Sequence, residues 1–353
     1  MTTNNPLASL RGARVLLTGG AGLIGSRIHH RLRQMGAQVT VLDNFSAYDD
    51  STFALLGVDR TSSEVIQGDV ADEPLVRSLV GESDYVIHAA AYSTVGGCTD
   101  NPDVAFASNM AGTDIILRAV AETNSVRRFV FISSAQVYGN GTGGDQAQLF
   151  TEEMPTAPLN LYASAKEWGE RQTRQLLTNA GTDYTIIRPF SVYGEGQVPK
   201  PGAYSWVIAQ FSMYATLGQE LPLINGGQGV RDRIHVDDAA EGICRAMVAE
   251  GASQQILNLG TGAATTVREA AELVRSHFPE AVVTDAPRFG QDPLGGYASI
   301  EHMSTALGWA PRISLSEGVA RYVQWMNSTP HAIPEWLKEE KDRVSNWSAL
   351  GSK

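Results

Sequence analysis

The sequence contains little cysteine, no cluster of basic residues and no long apolar run, and each shortage excludes a class of protein. Cys98 and Cys244 are its only cysteines, and no CxxC or Cys/His cluster occurs, so we expect neither a disulfide framework nor a metal site. The net charge is −11, with 27 basic and 38 acidic residues, which disfavours a nucleic acid partner. No apolar run approaches membrane length, and residues 1–9 lack a signal pattern. These features predict a cytoplasmic protein without a membrane partner.

The remaining composition is typical of a globular enzyme. The chain has 353 residues, of which 43% are hydrophobic and 18% are charged. This length provides a sizeable core, either as one large domain or as two unequal lobes.

A glycine-rich segment, Gly19-Gly20-Ala21-Gly22-Leu23-Ile24-Gly25, lies between a predicted strand at 13–18 and apolar residues at helical spacing. Glycines at such a turn let the backbone approach a pyrophosphate, where the helix N-terminus favours an anion. The next predicted strand, 38–42, ends at Asp43, whose carboxylate can accept hydrogen bonds from ribose hydroxyls. This order of elements predicts a dinucleotide site.

Asp43 also favours NAD over NADP, because a carboxylate repels the 2′-phosphate of NADP. The residues that follow it, Asn44-Phe45-Ser46-Ala47, include no cation to hold that phosphate. Arg27 is the one nearby cation that could, and a solvated helix residue is the simpler interpretation. We therefore predict NAD as the cofactor.

Strand and helix patterns alternate through the first half of the chain and loosen after about residue 190. Strands are predicted at 64–67, 85–88, 129–132 and 184–187, and helices at 104–122 and 162–179. Alternation of this kind predicts an α/β fold, with a Rossmann-type doubly wound parallel sheet and a smaller mixed α/β substrate-binding lobe. We assign residues 10–190 to the NAD-binding domain, with segments of about 230–262 returning to it. Residues 191–330 form mainly the substrate lobe, and 331–353 form a C-terminal tail.

Tyr162 and Lys166 are one helical turn apart and therefore lie on the same helix face. A free tyrosine has a pKa near ~10, and a neighbouring cation favours the phenolate and lowers that pKa. Ser134, at the end of a predicted central strand, could hydrogen-bond the same substrate oxygen. Ser134, Tyr162 and Lys166 are thus the predicted catalytic residues.

Further motifs occur along nearly the whole chain. They are Asp43-Asn44, Gly68-Asp69-Val70, His88-Ala89-Ala90-Ala91, Asn109, Ser133-Ser134, Arg188 to Gly194, Arg231 to Asp238, Asn258 to Gly262 and Leu307-Gly308-Trp309. With the glycine segment and the Tyr162/Lys166 pair, this set resembles the extended short-chain dehydrogenase/reductases. Within them it is similar to the NAD-dependent epimerase/dehydratase family, which acts on nucleotide sugars.

The resemblance implies the residues of the cofactor site. Asp69 and Val70 would contact the adenine, and Lys166 the nicotinamide ribose. The full implied set is Gly19, Gly22, Leu23, Ile24, Gly25, Asp43, Asn44, Asp69, Val70, Ala89, Ala90, Ala91, Asn109, Ser133, Tyr162, Lys166 and Pro189.

The resemblance also implies a nucleotide-diphosphate sugar as substrate, linked to UDP or dTDP, and a homodimer that pairs through helices 104–122 and 162–179. Arg231 would bind the diphosphate, with Arg288 as a second contact. The implied substrate residues are Ser93, Ser134, Ser191, Arg231, Arg288 and Asp292. Ser191 stands where many relatives have Asn. Gly295-Gly296 is expected to leave room beside C2 of the sugar for a 2-acetamido group.

The segment after Ser134 bears on the reaction. Related dehydratases carry an Asp-Glu pair there and decarboxylases a Glu, whereas this chain has Ala135-Gln136. Loss of those acid/base groups favours epimerisation at C4 through a transient 4-keto sugar. The alternatives are an NAD(P)H-dependent 4-ketoreductase of an NDP-4-keto-6-deoxy sugar and a non-catalytic binding member of the fold.

Overall fold

A computed structural model describes residues 6–141, 146–200, 206–286 and 295–339. The strands within these ranges are β1 Arg14–Thr18, β2 Gln38–Asp43, β3 Val65–Gln67, β4 Tyr85–His88, β5 Arg128–Ile132, β6 Gln148–Phe150, β7 Asp183–Pro189, β8 Ser191–Tyr193, β9 Leu221–Ile224, β10 Val230–Arg231, β11 Arg233–His235, β12 Gln255–Leu259, β13 Thr265–Thr266, β14 Val283–Ala286 and β15 Gly295–Ala298.

The helices in the same ranges are α1 Leu23–Gln34, α2 Asp50–Leu55, α3 Glu73–Gly81, α4 Val95–Asp100, α5 Pro102–Phe106, α6 Gly112–Ala121, α7 Leu161–Ala180, α8 Val207–Thr216, α9 Val236–Val248, α10 Val267–Arg275, α11 Glu301–Leu307, α12 Leu315–Ser328 and α13 Glu335–Glu339. Of the helices described, none combines the length and the apolar character that crossing a membrane requires. The cytoplasmic location stays a prediction.

Seven strands form one parallel sheet in the order β12-β7-β5-β4-β1-β2-β3. Strand β1, in the interior of the sheet, is buried on both faces, as is typical of parallel sheets. Val15 and Leu17 share one core cluster with Ile28 of α1, whereas Leu16 shares the cluster on the other face with Ile116 of α6. The predicted doubly wound α/β fold is confirmed.

The second half of the chain contributes a smaller mixed lobe and returns once to the large sheet. Three small sheets are present, in the orders β13-β10-β15-β6, β11-β8 and β14-β9. A separate core cluster joins α8, α10 and α12, and Leu337 of α13 is fully buried in it. The first residues of the predicted tail therefore dock on this lobe. Residues 340–353 lie outside the described ranges.

The helix predicted at 104–122 is divided. Its first part belongs to α5 and its last part to α6, and between them Ala107–Ala111 forms a π-helical turn. Such turns accommodate an extra residue and are frequent at functional sites. Here the turn carries Asn109, whose Oδ1 accepts from the backbone N–H of Tyr92 at 2.7 Å. Asn109 Nδ2 donates to the carbonyl of Tyr92 at 3.1 Å, so the interruption anchors the segment that follows β4.

The contact between α7 and β5 is too close for a side chain at Gly169. A Cβ there would lie 2.5 Å from Cζ of Phe131, whereas a Cβ at Gly81, at the end of α3, would meet nothing within 4 Å. We expect Gly169→Ala to lower the free energy of unfolding by about 1–3 kcal/mol through overpacking. Gly81→Ala, the matched control, should leave it unchanged or raise it by about 0.5–1 kcal/mol. Urea denaturation measures both, and equal effects would contradict the packing argument.

Candidate active site

The glycine turn lies between β1 and α1 at the carboxyl edge of the sheet. Gly19 has a φ of +73°, and a Cβ on it would lie 2.5 Å from the backbone N of Ala90. A Cβ on Gly25 would collide with the carbonyl of Gly19, so both positions require glycine for backbone packing. Gly22 differs, because it begins α1 with no side-chain cap and a Cβ there would meet only that same carbonyl, at 3.5 Å. The amides of Leu23 and Ile24 follow directly, so this helix N-terminus fits a dinucleotide pyrophosphate.

Asp43 is the last residue of β2, and its side chain hydrogen-bonds the glycine turn. Its Oδ2 accepts from the N–H of Ala21 at 2.9 Å and its Oδ1 from the N–H of Phe45 at 2.8 Å. Burial raises the pKa of Asp43, and the two backbone N–H groups oppose that rise. Arg27 is only partly exposed, since it donates to the carbonyl of Glu195 at 3.0 Å and lies 3.8 Å from the carboxylate of Asp237.

Asn44 of the predicted cofactor set lies beside the predicted adenine residues Asp69 and Val70, at the ends of β2 and β3. Asn44 Nδ2 donates to Asp69 Oδ2 at 2.8 Å, and the other oxygen of Asp69 accepts from the N–H of Ala71 at 2.9 Å. Val70 is buried, and its side chain leaves no space for a Cβ at Gly112. These contacts join the strand ends to α6.

A buried histidine fixes the end of β4, where Ala89–Ala91 begin. His88 Nδ1 lies 2.7 Å from Thr18 Oγ1, and its Nε2 lies 3.0 Å from Thr113 Oγ1. Burial, assisted by the charge of Lys166, lowers the pKa of His88 to about 3. The imidazole is therefore neutral at physiological pH and links β1, β4 and α6.

Ser134, Tyr162 and Lys166 lie around the junction of β5 and α7. Ser134 Oγ accepts from the N–H of Gln136 at 3.2 Å and so begins the short 3-10 turn Ala135–Tyr138. Asn160 begins α7, accepting from the N–H of Ala163 at 2.9 Å. Lys166 is buried, and its Nζ donates to the carbonyl of Ile132 at 2.7 Å. The three predicted catalytic residues are thus held on adjacent, tightly bonded elements.

The pKa of Tyr162 differs from the one expected from the sequence. Burial raises the pKa of Tyr162 to about 12, and its hydrogen bond with Ser134 only partly opposes that rise. Burial also lowers the pKa of Lys166 to about 8, although charge interactions with Cys98 and Glu170 oppose this shift. The predicted lowering of the tyrosine pKa by Lys166 is therefore wrong for this state. Nζ lies 5.9 Å from the centre of the phenol ring, and the loss of water around the phenol dominates.

A buried network that the sequence analysis missed lies directly behind these residues. Glu170 Oε1 accepts from Ser133 Oγ at 2.5 Å, and both carboxylate oxygens of Glu170 accept from Arg188, at 2.9 and 2.7 Å. Arg188 also donates to the hydroxyl of Tyr138 at 2.8 Å, which in turn donates to Asn258 Oδ1 at 2.7 Å. The signal in the sequence was the spacing of Glu170, one turn beyond Lys166 on the same helix face.

The predicted substrate residues lie on several elements. Ser93 is exposed after β4, and Ser191 begins β8. Pro189, from the predicted cofactor set, is buried at the end of β7. Arg231 ends β10, and its Nη1 donates to the carbonyl of Val230 at 2.7 Å. Arg288 and Asp292 lie outside the described residues.

The two glycines at the start of β15 are required by close packing. Gly295 has a φ of +79°, and a Cβ on it would collide with the guanidinium of Arg231. A Cβ on Gly296 would collide with the carbonyl of Gln148 in β6. Close packing of the small sheet and of Arg231 therefore requires glycine at both positions. Room for a 2-acetamido group stays a prediction.

The extended short-chain dehydrogenase/reductases, a class of enzymes that use NAD, share this architecture. It consists of a seven-stranded parallel sheet, a glycine turn after the first strand, and a later helix that carries the Tyr-Lys pair. The family described as "NAD dependent epimerase/dehydratase" matches residues 15–260, and the chain belongs to this family.

Named relatives include both epimerases and dehydratases. The chain is 31% identical over 319 residues to a putative UDP-glucose 4-epimerase of Methanocaldococcus jannaschii, covering 89% of this chain and 98% of that protein. It is 31% identical over 325 residues to dTDP-glucose 4,6-dehydratase of Streptomyces antibioticus, covering 88% and 91%. Its fold is similar to the crystal structure of UDP-glucose 4-epimerase from Thermotoga maritima with UDP-glucose, with a TM-score of 0.80, 27% identity and coverage of 90% and 99%.

The glycine turn yields a prediction that separates cofactor binding from folding. Because a Cβ at Gly22 meets no atom closer than 3.5 Å, Gly22→Ala should fold with an unchanged melting temperature. Its methyl group would nevertheless stand where a pyrophosphate approaches α1, so we expect NAD to bind at least about tenfold more weakly, the loss of roughly one charge-assisted hydrogen bond. Gly25→Ala, the comparison variant, should lose stability as well. Calorimetric titration with NAD and thermal melts test both, and normal NAD affinity in Gly22→Ala would refute this placement.

Proposed function

We propose that the protein epimerises a nucleotide-diphosphate sugar, linked to UDP or dTDP, at C4 through a transient 4-keto sugar. The observation that carries this proposal is the combination of an intact Ser134, Tyr162 and Lys166 set with a glutamine at 136. Gln136 Oε1 accepts from Asn160 Nδ2 at 3.1 Å, and its neutral amide cannot act as a general acid or base near neutral pH. The turn after Ser134 therefore lacks the acid/base group that elimination of water from C5 and C6 would need.

The described residues suit a reversible oxidation. Tyr162 would take the proton of the C4 hydroxyl as hydride leaves C4, and return it when hydride comes back to the other face of the ketone. Ser134 would hydrogen-bond the same oxygen and hold it in line. When bound, oxidised NAD supplies the hydride acceptor and a positive charge that favours ionisation of the phenol. Lys166 would hold the nicotinamide ribose.

The relatives support the substrate class. The M. jannaschii and T. maritima proteins are named as UDP-glucose 4-epimerases, and the latter structure contains UDP-glucose. The S. antibioticus relative is named as a dehydratase of a dTDP-linked sugar. Both names include a hexose linked through a diphosphate, which is the chemistry that Arg231 would bind.

We expect the purified protein to carry bound NAD and to interconvert UDP-glucose and UDP-galactose without net change at the nicotinamide absorbance. Tyr162→Phe should keep its NAD and its melting temperature but lose about 10²–10⁴-fold in rate, the usual contribution of general acid/base catalysis. Tyr85→Phe, in the core strand β4, serves as the matched control and should retain activity. Consumption of NAD(P)H with an NDP-4-keto-6-deoxy sugar, without interconversion, would instead support a ketoreductase. Absence of both activities and of NAD would support a non-catalytic protein.

We also propose that two copies pair through α5, α6 and α7. Large apolar side chains are exposed on this side of the molecule, with Val104 51% exposed and Phe106 59% exposed on α5 and Leu161 49% exposed at the start of α7. Since α5 and α7 are in contact, these exposed side chains lie on neighbouring helices. Exposed apolar side chains grouped in this way are typical of interaction surfaces, and a two-fold axis would bring each group onto its copy.

Replacement of this patch by charge should dissociate the dimer. We expect Val104→Glu/Phe106→Glu to elute as a monomer in size-exclusion chromatography with light scattering, while the wild type elutes as a dimer. Val282→Glu changes a side chain that is equally exposed, at 55%, but lies outside this surface, and should stay dimeric. A monomeric wild type at micromolar concentration would refute the assignment.

A further inference from the structure

Arg233 in β11 is buried, and its guanidinium does not use all of its hydrogen-bond donors. Only 5% of its surface is exposed. Its Nη1 donates to the carbonyl of Thr265 at 2.8 Å and more weakly to that of Arg231 at 3.4 Å. Within the described ranges, its Nη2 is a buried donor without a hydrogen-bond partner. Leaving a charged donor unpaired in the interior is costly, so a site of this kind calls for a ligand.

Arg233 is two residues from Arg231, one of the predicted substrate residues. Side chains alternate along an extended chain, so Arg231 and Arg233 share one side while Asp232 lies on the other. Asp232 indeed faces away, accepting from the N–H groups of Thr261 and Gly262 at 2.8 and 2.9 Å. Two arginines are therefore presented together at the junction of β10 and β11.

The cross-strand neighbour of Arg233 is small. In the parallel pair of β8 and β11, Arg233 is in register with Ser191, so the two side chains extend to the same side. Serine there leaves space for the long arginine. Burial, and then the charge of Arg231, lower the pKa of Arg233 to about 10, so the guanidinium is still charged at neutral pH and lies within electrostatic reach of Arg231.

We propose that Nη2 of Arg233 is a second donor, beside Arg231, to the diphosphate of the nucleotide-sugar substrate. This inference rests on the proposed function. Guanidinium groups bind phosphate oxygens through directed, charge-assisted hydrogen bonds, and two adjacent guanidinia match the two charges of a diphosphate. The ligand thereby satisfies a donor that the fold alone leaves unpaired. Arg233 is a binding and specificity residue and takes no part in proton or hydride transfer.

The test is calorimetric binding of UDP and of dTDP to the NAD-loaded full-length protein, with four variants. Arg233→Met should weaken binding of the preferred diphosphate by about tenfold to a hundredfold, as loss of a charge-assisted hydrogen bond does. Arg233→Lys, which keeps the charge, should recover part of the affinity. Arg231→Met should weaken binding as well. Arg268→Met removes a nearby charge that pairs with Asp285 at 2.8 Å, and should leave affinity unchanged.

The outcomes separate this inference from the proposed function. If wild type binds a nucleoside diphosphate and Arg231→Met loses it while Arg233→Met binds as well as wild type, the inference is overturned and the proposed function stands. If Arg233→Met loses affinity together with a large fall in melting temperature, and Arg233→Lys recovers neither, Arg233 is structural and the inference is again overturned. If wild type binds neither diphosphate, the proposed function fails, and the inference fails with it.

Discussion

The ion pair between Glu170 and Arg188 is the interaction on which the candidate active site depends. Both side chains are almost fully buried, and they join α7 to β7 at the carboxyl edge of the sheet. Glu170 also accepts from Ser133, directly before Ser134, and Arg188 reaches Tyr138 in the turn beyond it. Removing one member of such a pair leaves an uncompensated buried charge and typically costs about 3–5 kcal/mol. The pair thus fixes the strand end and the helix between which the predicted chemistry occurs.

Burial sets the electrostatics around this pair. It raises the pKa of Tyr162, lowers those of Lys166 and His88, and keeps His88 neutral between Thr18 and Thr113. Charges interact more strongly where water is excluded, so the ionisation of the phenol is sensitive to the charge of a nearby cofactor. A phenol with this raised pKa is protonated at neutral pH.

The smaller lobe carries Arg231, one of the predicted substrate residues, and it depends on close backbone contacts. Gly295 lets β15 lie against the guanidinium of Arg231, and Asp232 holds the loop after β12 through Thr261 and Gly262. Since β12 is itself an edge strand of the large sheet, these contacts connect the lobe to the sheet. The arginines at the β10–β11 junction are therefore held at a fixed place relative to the strand ends.

The sequence alone predicted a doubly wound parallel sheet, the glycine turn, Asp43 at the second strand and the Tyr-Lys helix, because apolar periodicity, turn glycines and helical spacing are local properties. It did not reveal the π-helical turn at Asn109, the partner of Glu170, the upward shift of the Tyr162 pKa or the unpaired donor of Arg233. Each of these depends on burial or on a partner distant along the chain, and only the tertiary structure decides which groups lose their water. Glu170 and Arg188 are 18 residues apart, and Arg233 and Thr265 are 32 apart.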